Sequence, residues 1–301
     1  MTYIKLLIFG SKGWIGSQFI KFLESIEKNN QNFTYIETNV RADNERLVND
    51  ILIAHNPTHI ISFIGRTYGE GINTIDYLEK EGKLRENMRD NLYGPLVLAM
   101  LSKKYNIHYT YIGTGCIFSQ EDPLIKSYNE ESEPDFFGSS YSIVKGFTER
   151  LLKFYDTTLI LRIRMPIVDF HHPRNFISKI INYDKICSMP NSMTVLPDFY
   201  PIILDLIKRK EIGILNLVNP GLISHNEILE MYKEIIDPSF EWTNFSIEEQ
   251  NQVLKSKRSN NHLDTSKLES LYPSIPNIKD SVRNCLLKLK ITYNRYVCSS
   301  K

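Results

Sequence analysis

Tyr141 and Lys145 stand four residues apart, and of the 17 tyrosines in the chain only Tyr141 has a lysine four residues after it. On a helix the two side chains share one face. The ammonium then lowers the phenol pKa, which makes the tyrosine a usable proton donor to a carbonyl being reduced, and the same ammonium can hold a nicotinamide ribose. By itself such a pair is weak, because about one arises by chance at this lysine content. Its position gives it weight. It falls one βα unit after Thr114, which closes a strand in Tyr111-Ile112-Gly113-Thr114-Gly115-Cys116-Ile117-Phe118, so the three side chains can converge at the carboxyl edge of a sheet.

A second constellation lies at the start of the chain. Leu6 to Phe9 is a continuous apolar run, the pattern of a strand buried on both faces. It leads into Gly10-Ser11-Lys12-Gly13-Trp14-Ile15-Gly16, and then Phe19, Ile20, Leu23 and Ile26 recur at helical spacing. Three glycines joining a first strand to a first helix let the backbone approach a pyrophosphate, which rests on free N–H groups at the helix N-terminus. At the end of the second strand the chain reads Glu37-Thr38-Asn39-Val40-Arg41. An acidic residue there accepts from the ribose 2′-hydroxyl of NADH, and a cation favours the 2′-phosphate of NADPH. Arg41 can pair bidentately with a phosphate, so the reading leans to NADPH, with NADH kept possible by Glu37.

Strand and helix continue to alternate: a helix with Leu47, Val48, Ile51 and Leu52 stopping before Pro57, strands at His59 to Ile64 and His108 to Ile112, a helix around Tyr141 to Phe154, and a strand at Leu159 to Ile163. That order means βαβ units around a parallel sheet, a Rossmann-type doubly wound α/β fold. After Met165-Pro166 the rhythm changes, which places a dinucleotide-binding domain at 1–166 and a smaller substrate-binding region at 167–301, with a strand near 214–218 expected to return to the main sheet. Ser224 and Glu227 form a capping box that opens a helix.

The composition narrows the function. Lys plus Arg number 36 against 35 Asp plus Glu, too balanced for wholesale binding to nucleic acid or anionic lipid. No apolar run approaches a membrane span or a signal peptide core, so a cytoplasmic protein is expected. The four cysteines at 116, 187, 285 and 298 are widely spaced, suggesting neither a disulfide framework nor a zinc site. His171, His172 and His225 have no carboxylate or cysteine completing a ligand spacing; they are read as loop and capping residues, with no metal.

With these residues in place the chain resembles an extended short-chain dehydrogenase/reductase. The resemblance implies that Thr114 binds the substrate carbonyl, Tyr141 protonates it and Lys145 supports both, and that Asn91 braces the central strands. A closer resemblance is to nucleotide-rhamnose synthase/epimerase-reductases. It is carried by Gly13-Trp14-Ile15-Gly16, Thr114-Gly115-Cys116-Ile117-Phe118, Arg162-Ile163-Arg164-Met165-Pro166-Ile167, Asn175-Phe176-Ile177-Ser178-Lys179-Ile180, Pro190 to Leu196, Asn219-Pro220-Gly221, Ser224 to Leu229 and Arg258-Ser259-Asn260-Asn261.

Such enzymes invert carbons 3 and 5 of a UDP- or dTDP-4-keto-6-deoxyglucose and reduce carbon 4 to give the activated L-rhamnose. Both inverted carbons flank the ketone, so a base can remove their protons if the enolate is stabilised. Cys116, two residues beyond Thr114, is near enough to be one acid/base group. By resemblance Lys179 is the other, which requires a lowered pKa. Arg258 with Asn260 is the candidate for the diphosphate, and Asn175 for sugar or phosphate. The stretch from Arg66 to Lys83, which in this family helps cover the sugar, matches little. A separate 4,6-dehydratase is expected to supply the substrate, and a homodimer is the family expectation. Two alternatives are a reductase without epimerase activity, which has no use for Cys116, and a non-catalytic NADP-binding protein, which usually lacks the tyrosine or its lysine.

Overall fold

The computed structural model describes residues 3–27, 32–119 and 127–299, with side chains described through 291; the side chain of Cys298 lies outside the described residues. The first half of the chain runs β1 (Ile4–Phe9), α1 (Trp14–Glu27), β2 (Phe33–Thr38), α2 (Glu45–His55), β3 (His59–Ser62), a 3₁₀ turn (Ile75–Glu79), α3 (Leu84–Met88), a π turn (Arg89–Tyr93), α4 (Gly94–Tyr105) and β4 (His108–Thr114). The second half contributes α5 (Ser140–Leu152), β5 (Thr158–Ile163), α6 (Phe176–Ile180), α7 (Leu196–Arg209), β6 (Gly213–Asn216), α8 (His225–Ile235), α9 (Ile247–Val253), α10 (Ser266–Leu271) and α11 (Ile278–Ser299).

The strands form one sheet in the order β2-β1-β3-β4-β5-β6, and the β1–β2, β1–β3 and β3–β4 pairs are parallel. The chain steps from β1 outward to β2 and then crosses back to β3 on the other side of β1, so the direction of winding reverses there. The registers Phe9↔Thr38 and Phe9↔Ser62 bring the carboxyl ends of these three strands level, and a crevice opens outside them, the place where such sheets bind ligands.

Two compact units interleave in sequence. The first comprises residues 1–117, 133–162 and 200–215, and the second 118–132, 163–199 and 216–301. The first is built on the sheet: Leu6, Leu7, Ile8 and Phe9 of β1 are fully buried, as expected of a strand covered on both faces. Each such side chain stabilises the fold by roughly 1.5–3 kcal/mol relative to exposure. The surrounding helices stop at defined caps: Asn44 accepts from Leu47 N–H at the start of α2, while Asn56 and Asn106 adopt the left-handed conformation that ends α2 and α4.

The second unit gathers α6, α8 and α11 around Ile177, Ile228, Leu229, Val282 and Leu286. Ser224 and Glu227 cap α8 reciprocally, as the sequence indicates. Buried Arg164 ties distant segments together by donating to the Asn191 side chain at 2.6 Å, the Ser259 carbonyl at 3.0 Å and the Ser259 hydroxyl at 3.1 Å.

Candidate active site

The crevice of the first unit is a cleft of about 300 Å³ lined by Gly10–Gly13 after β1, Thr38–Asp43 after β2 and Ile64–Arg66 after β3, with Arg89 and Asp90 from the π turn. Its floor is a turn that only glycine permits. Gly10 sits at φ +75°, and a Cβ on Gly16 would lie 2.2 Å from the Gly10 carbonyl oxygen. Gly13 N–H closes the turn on that same carbonyl at 2.9 Å, and α1 starts immediately after. The amides of a turn feeding a helix N-terminus suit a pyrophosphate, so these residues fit a dinucleotide.

Of the residues expected to hold it, Gly10, Lys12, Gly13 and Arg41 line the cleft. Trp14, Ile15 and Gly16 do not; they form the first turn of α1, and Gly16 serves the cleft through its close packing on Gly10. Arg41 is held by Asp43 at 2.8 Å and Asp90 at 2.9 Å, whereas Glu37 is exposed and off the cleft wall.

The same unit carries Thr114, Cys116, Tyr141 and Lys145. Thr114 ends β4 and is buried; its hydroxyl accepts the Cys116 N–H at 3.1 Å, fixing the turn that presents the thiol. Cys116 is half-buried and packs with Tyr77, Leu78 and Tyr141 in one apolar cluster. Tyr141 is the second residue of α5. That helix starts where Ser139 accepts from Ser142 N–H and where the Glu79 carboxylate accepts from both the N–H and the hydroxyl of Ser140, each at 2.8 Å. The stretch from Arg66 to Lys83, unmatched in the sequence, thus braces the helix that bears Tyr141.

Lys145, one turn later, is buried, and its ammonium donates to the Tyr111 hydroxyl and, at 3.4 Å, to the Ile112 carbonyl. Burial pulls its pKa down to about 7, countered in part by Glu149 and by Cys116. Glu149 is itself paired with buried Arg162 at 2.6 and 3.0 Å. Asn91 is fully buried and exchanges hydrogen bonds with the Arg66 backbone, N–H and C=O both at 2.9 Å, so it braces the loop that follows β3.

In the second unit Lys179 lies in α6, its pKa lowered to about 8 by burial and by the charges of Arg174 and Arg258. Arg258 donates to the Ser256 carbonyl at 3.2 Å, and Asn260 is half-buried with its side-chain oxygen accepting from Asn191 at 3.0 Å. Asn175, expected as a substrate ligand, is fully buried and occupied by the fold: it donates to the Val168 and Phe170 carbonyls at 3.0 and 2.9 Å and accepts from Val168 and Ile177 N–H, both at 3.3 Å. His225 begins α8 and packs edge-on against Phe176, and burial takes its pKa to about 4. Among the described residues no group of three or more His, Cys, Asp and Glu side chains could hold a metal ion.

Tyr111, Glu79 and Arg174 were not anticipated. Tyr111 had a faint signal, since it shares a face of β4 with Tyr109 at a spacing of two. Glu79 and Arg174 had none, because their partners are fixed only by tertiary packing.

No protein-family model matches the chain. The L780 UDP-rhamnose synthase from Acanthamoeba polyphaga mimivirus, known from a crystal structure, is 50% identical, with 95% of this chain and 100% of that chain covered at a TM-score of 0.91. The Arabidopsis thaliana bifunctional dTDP-4-dehydrorhamnose 3,5-epimerase/dTDP-4-dehydrorhamnose reductase is 42% identical over 282 residues, covering 92% of this chain and 90% of that protein. The chain belongs to the nucleotide-rhamnose synthase/epimerase-reductase family. The fold extends beyond the family: a Bacillus anthracis dTDP-4-dehydrorhamnose reductase in complex with NADP superposes at a TM-score of 0.77 with 18% identity.

Proposed function

We propose that this chain converts a UDP- or dTDP-4-keto-6-deoxyglucose to the activated L-rhamnose, by epimerisation at carbons 3 and 5 and NADPH-dependent reduction at carbon 4. The observation that carries the reading is the packing of Cys116 on the apolar cluster that contains Tyr141, in the unit that also holds Thr114, Lys145 and the dinucleotide cleft. A reductase alone has no use for a thiol beside its proton donor.

Removal of the proton at carbon 3 or 5 leaves an enolate whose charge sits on the carbon-4 oxygen. Thr114 and Tyr141 stabilise that oxygen by hydrogen bonding. Inversion needs a proton taken from one face of the ring and another returned to the opposite face. Cys116 and Lys179 fill these two roles in the proposal, and the burial that draws Lys179 to about 8 gives it the partly neutral amine such a role requires. NADPH, when bound by Gly10, Lys12, Gly13 and Arg41, supplies the hydride for carbon 4. Tyr141 then gives its proton to the oxygen and Lys145 supports the charge change. Arg258, Arg174 and Asn260 form the polar set for the substrate diphosphate, with Asn175 shaping the loop beside them.

The substrate comes from a 4,6-dehydratase on a separate chain. The assembly in this reading is a homodimer formed through helices that flank the sheet. No helix among the described residues is long and apolar enough to cross a membrane, in keeping with action in the cytoplasm.

The test supplies UDP-4-keto-6-deoxyglucose in deuterated water. Without NADPH, deuterium enters at carbons 3 and 5; with it, UDP-rhamnose forms. Cys116→Ala suppresses exchange while NADPH still binds, and Tyr141→Phe abolishes reduction while exchange persists at a lower rate, with Thr114 alone on the enolate oxygen. Unchanged exchange in Cys116→Ala removes the thiol from the mechanism, and a normal reduction rate in Tyr141→Phe places the proton elsewhere.

A further inference from the structure

The dinucleotide cleft carries more positive charge than a glycine turn requires. Lys12, Arg41, Arg66 and Arg89 line it together with only two carboxylates, Asp43 and Asp90. Three of those cations meet on one of the carboxylates. Asp90 Oδ1 accepts from Arg41 Nη2 at 2.9 Å and from Arg89 Nε at 2.8 Å. Its Oδ2 accepts from Arg66 Nε at 2.6 Å and from Arg89 Nη2 at 3.2 Å. The arginines come from three places in the chain: beyond β2, beyond β3 and inside the π turn. The Asp90 side chain is only 9% exposed, while those of Arg41, Arg66 and Arg89 are 55%, 30% and 37% exposed.

Three guanidiniums at hydrogen-bonding distance from one carboxylate repel each other, and the neighbouring anions offset this incompletely. Asp43 takes a second contact from Arg41, and Glu86 lies 3.6 Å from Arg66 Nη1. Each guanidinium carries five N–H donors in a planar fork, so the contacts to Asp90 leave further donors on every one of them. A buried carboxylate that fixes the forks while leaving them exposed is the arrangement of a preformed phosphate seat.

The position of the seat selects the phosphate. In this topology the pyrophosphate lies on the glycine turn, and the adenosine ribose lies at the end of the second strand. Arg41 stands there, and Arg66 and Arg89 join it through Asp90. We infer that Asp90 is a positioning residue that gathers Arg41, Arg66 and Arg89 into a seat for the ribose 2′-phosphate, and that this seat sets the preference for NADPH over NADH. The inference rests on the dinucleotide reading of the cleft given above and adds to it what selects between the two cofactors.

The test measures binding to the full chain by titration calorimetry, with 2′,5′-ADP and 5′-AMP as probes that differ only in the 2′-phosphate, and with NADPH and NADH. The wild-type protein binds 2′,5′-ADP about tenfold or more tightly than 5′-AMP. Asp90→Asn and Arg89→Gln each reduce that ratio by about tenfold, mainly through weaker 2′,5′-ADP binding, and Asp90→Glu restores part of it. The same ordering holds for NADPH against NADH.

A wild-type ratio near one overturns the inference while leaving the dinucleotide reading intact. Failure of all four ligands to bind overturns both. Equal losses for 2′,5′-ADP and 5′-AMP in Asp90→Asn and Arg89→Gln reduce the cluster to a structural brace and overturn the inference. Tighter 2′,5′-ADP binding in Asp90→Asn does the same, because it makes Asp90 a competitor of the phosphate. Arg89→Gln preserves the test if Asp90→Asn does not fold.

Discussion

Lys145 is expected to destabilise the protein that it equips for catalysis. Its pKa falls from 10.5 in the free side chain to about 7 because the ammonium is enclosed by protein. With the folded value below the unfolded one, the penalty is fully present below pH 7 and fades as pH rises from 7 towards 10.5. Three to four units at ~1.36 kcal/mol each amount to a penalty on the order of 5 kcal/mol. Lys145→Met keeps the length of the side chain and removes the charge, but it leaves the buried Tyr111 hydroxyl without this donor, which costs about 1–3 kcal/mol.

The net expectation is a variant without reductase activity that is more stable than the wild type by about 2–4 kcal/mol at about pH 6. Near pH 9.5 only about 1 kcal/mol of the wild-type penalty remains, so the advantage disappears or reverses. Urea denaturation of both proteins at the two pH values reads this directly. A variant less stable than the wild type near pH 6, or one whose advantage is the same at both pH values, refutes the stored-charge account of this lysine.

Two further predictions concern the glycine turn and the buried histidines. Gly16→Ala puts a methyl 2.2 Å from the Gly10 carbonyl oxygen, so the turn must move; NADPH affinity measured by nucleotide fluorescence drops about tenfold or more, and undiminished binding shows that the turn is not the pyrophosphate seat. His59 and His225 are both held near pKa 4 chiefly by burial, below the unfolded 6.5, so the stability they allow is complete above pH 6.5 and is lost as pH falls towards 4. Near pH 5 each costs about 2 kcal/mol, and His225→Phe flattens its share of the acid limb in urea denaturation; an equally steep limb in that variant rules out His225 as a contributor.

What the sequence revealed of the fold and site follows the range of the interactions involved. The first strand, the glycine turn and α1 are contiguous, so periodicity and three glycines were enough to place them. The Ser224–Glu227 cap spans three residues and was equally plain. Tyr141 and Lys145 share one helix, whereas the lysine's acceptor Tyr111 lies 34 residues earlier and was noticed only as part of a strand. Asp90 meets Arg41 across 49 residues and Arg66 across 24, distances at which no local pattern exists.

Asn175 shows the opposite difficulty. Its place in a motif drew attention to it, but the four hydrogen bonds that commit it to the loop and to α6 could be counted only in three dimensions. The order of segments likewise does not reveal that 118–132 packs with the later unit or that 200–215 packs with the earlier one.

Glu79 gives the divergent stretch between Arg66 and Lys83 a second duty. Its carboxylate holds the first turn of α5, so this stretch cannot be exchanged as a detachable lid. A chimera that imports the corresponding segment from a relative to broaden sugar acceptance must retain an acceptor opposite Ser140. Without one, the transplanted loop alters the aim of the phenol along with the shape of the pocket, and a change in turnover would be mistaken for a change in selectivity.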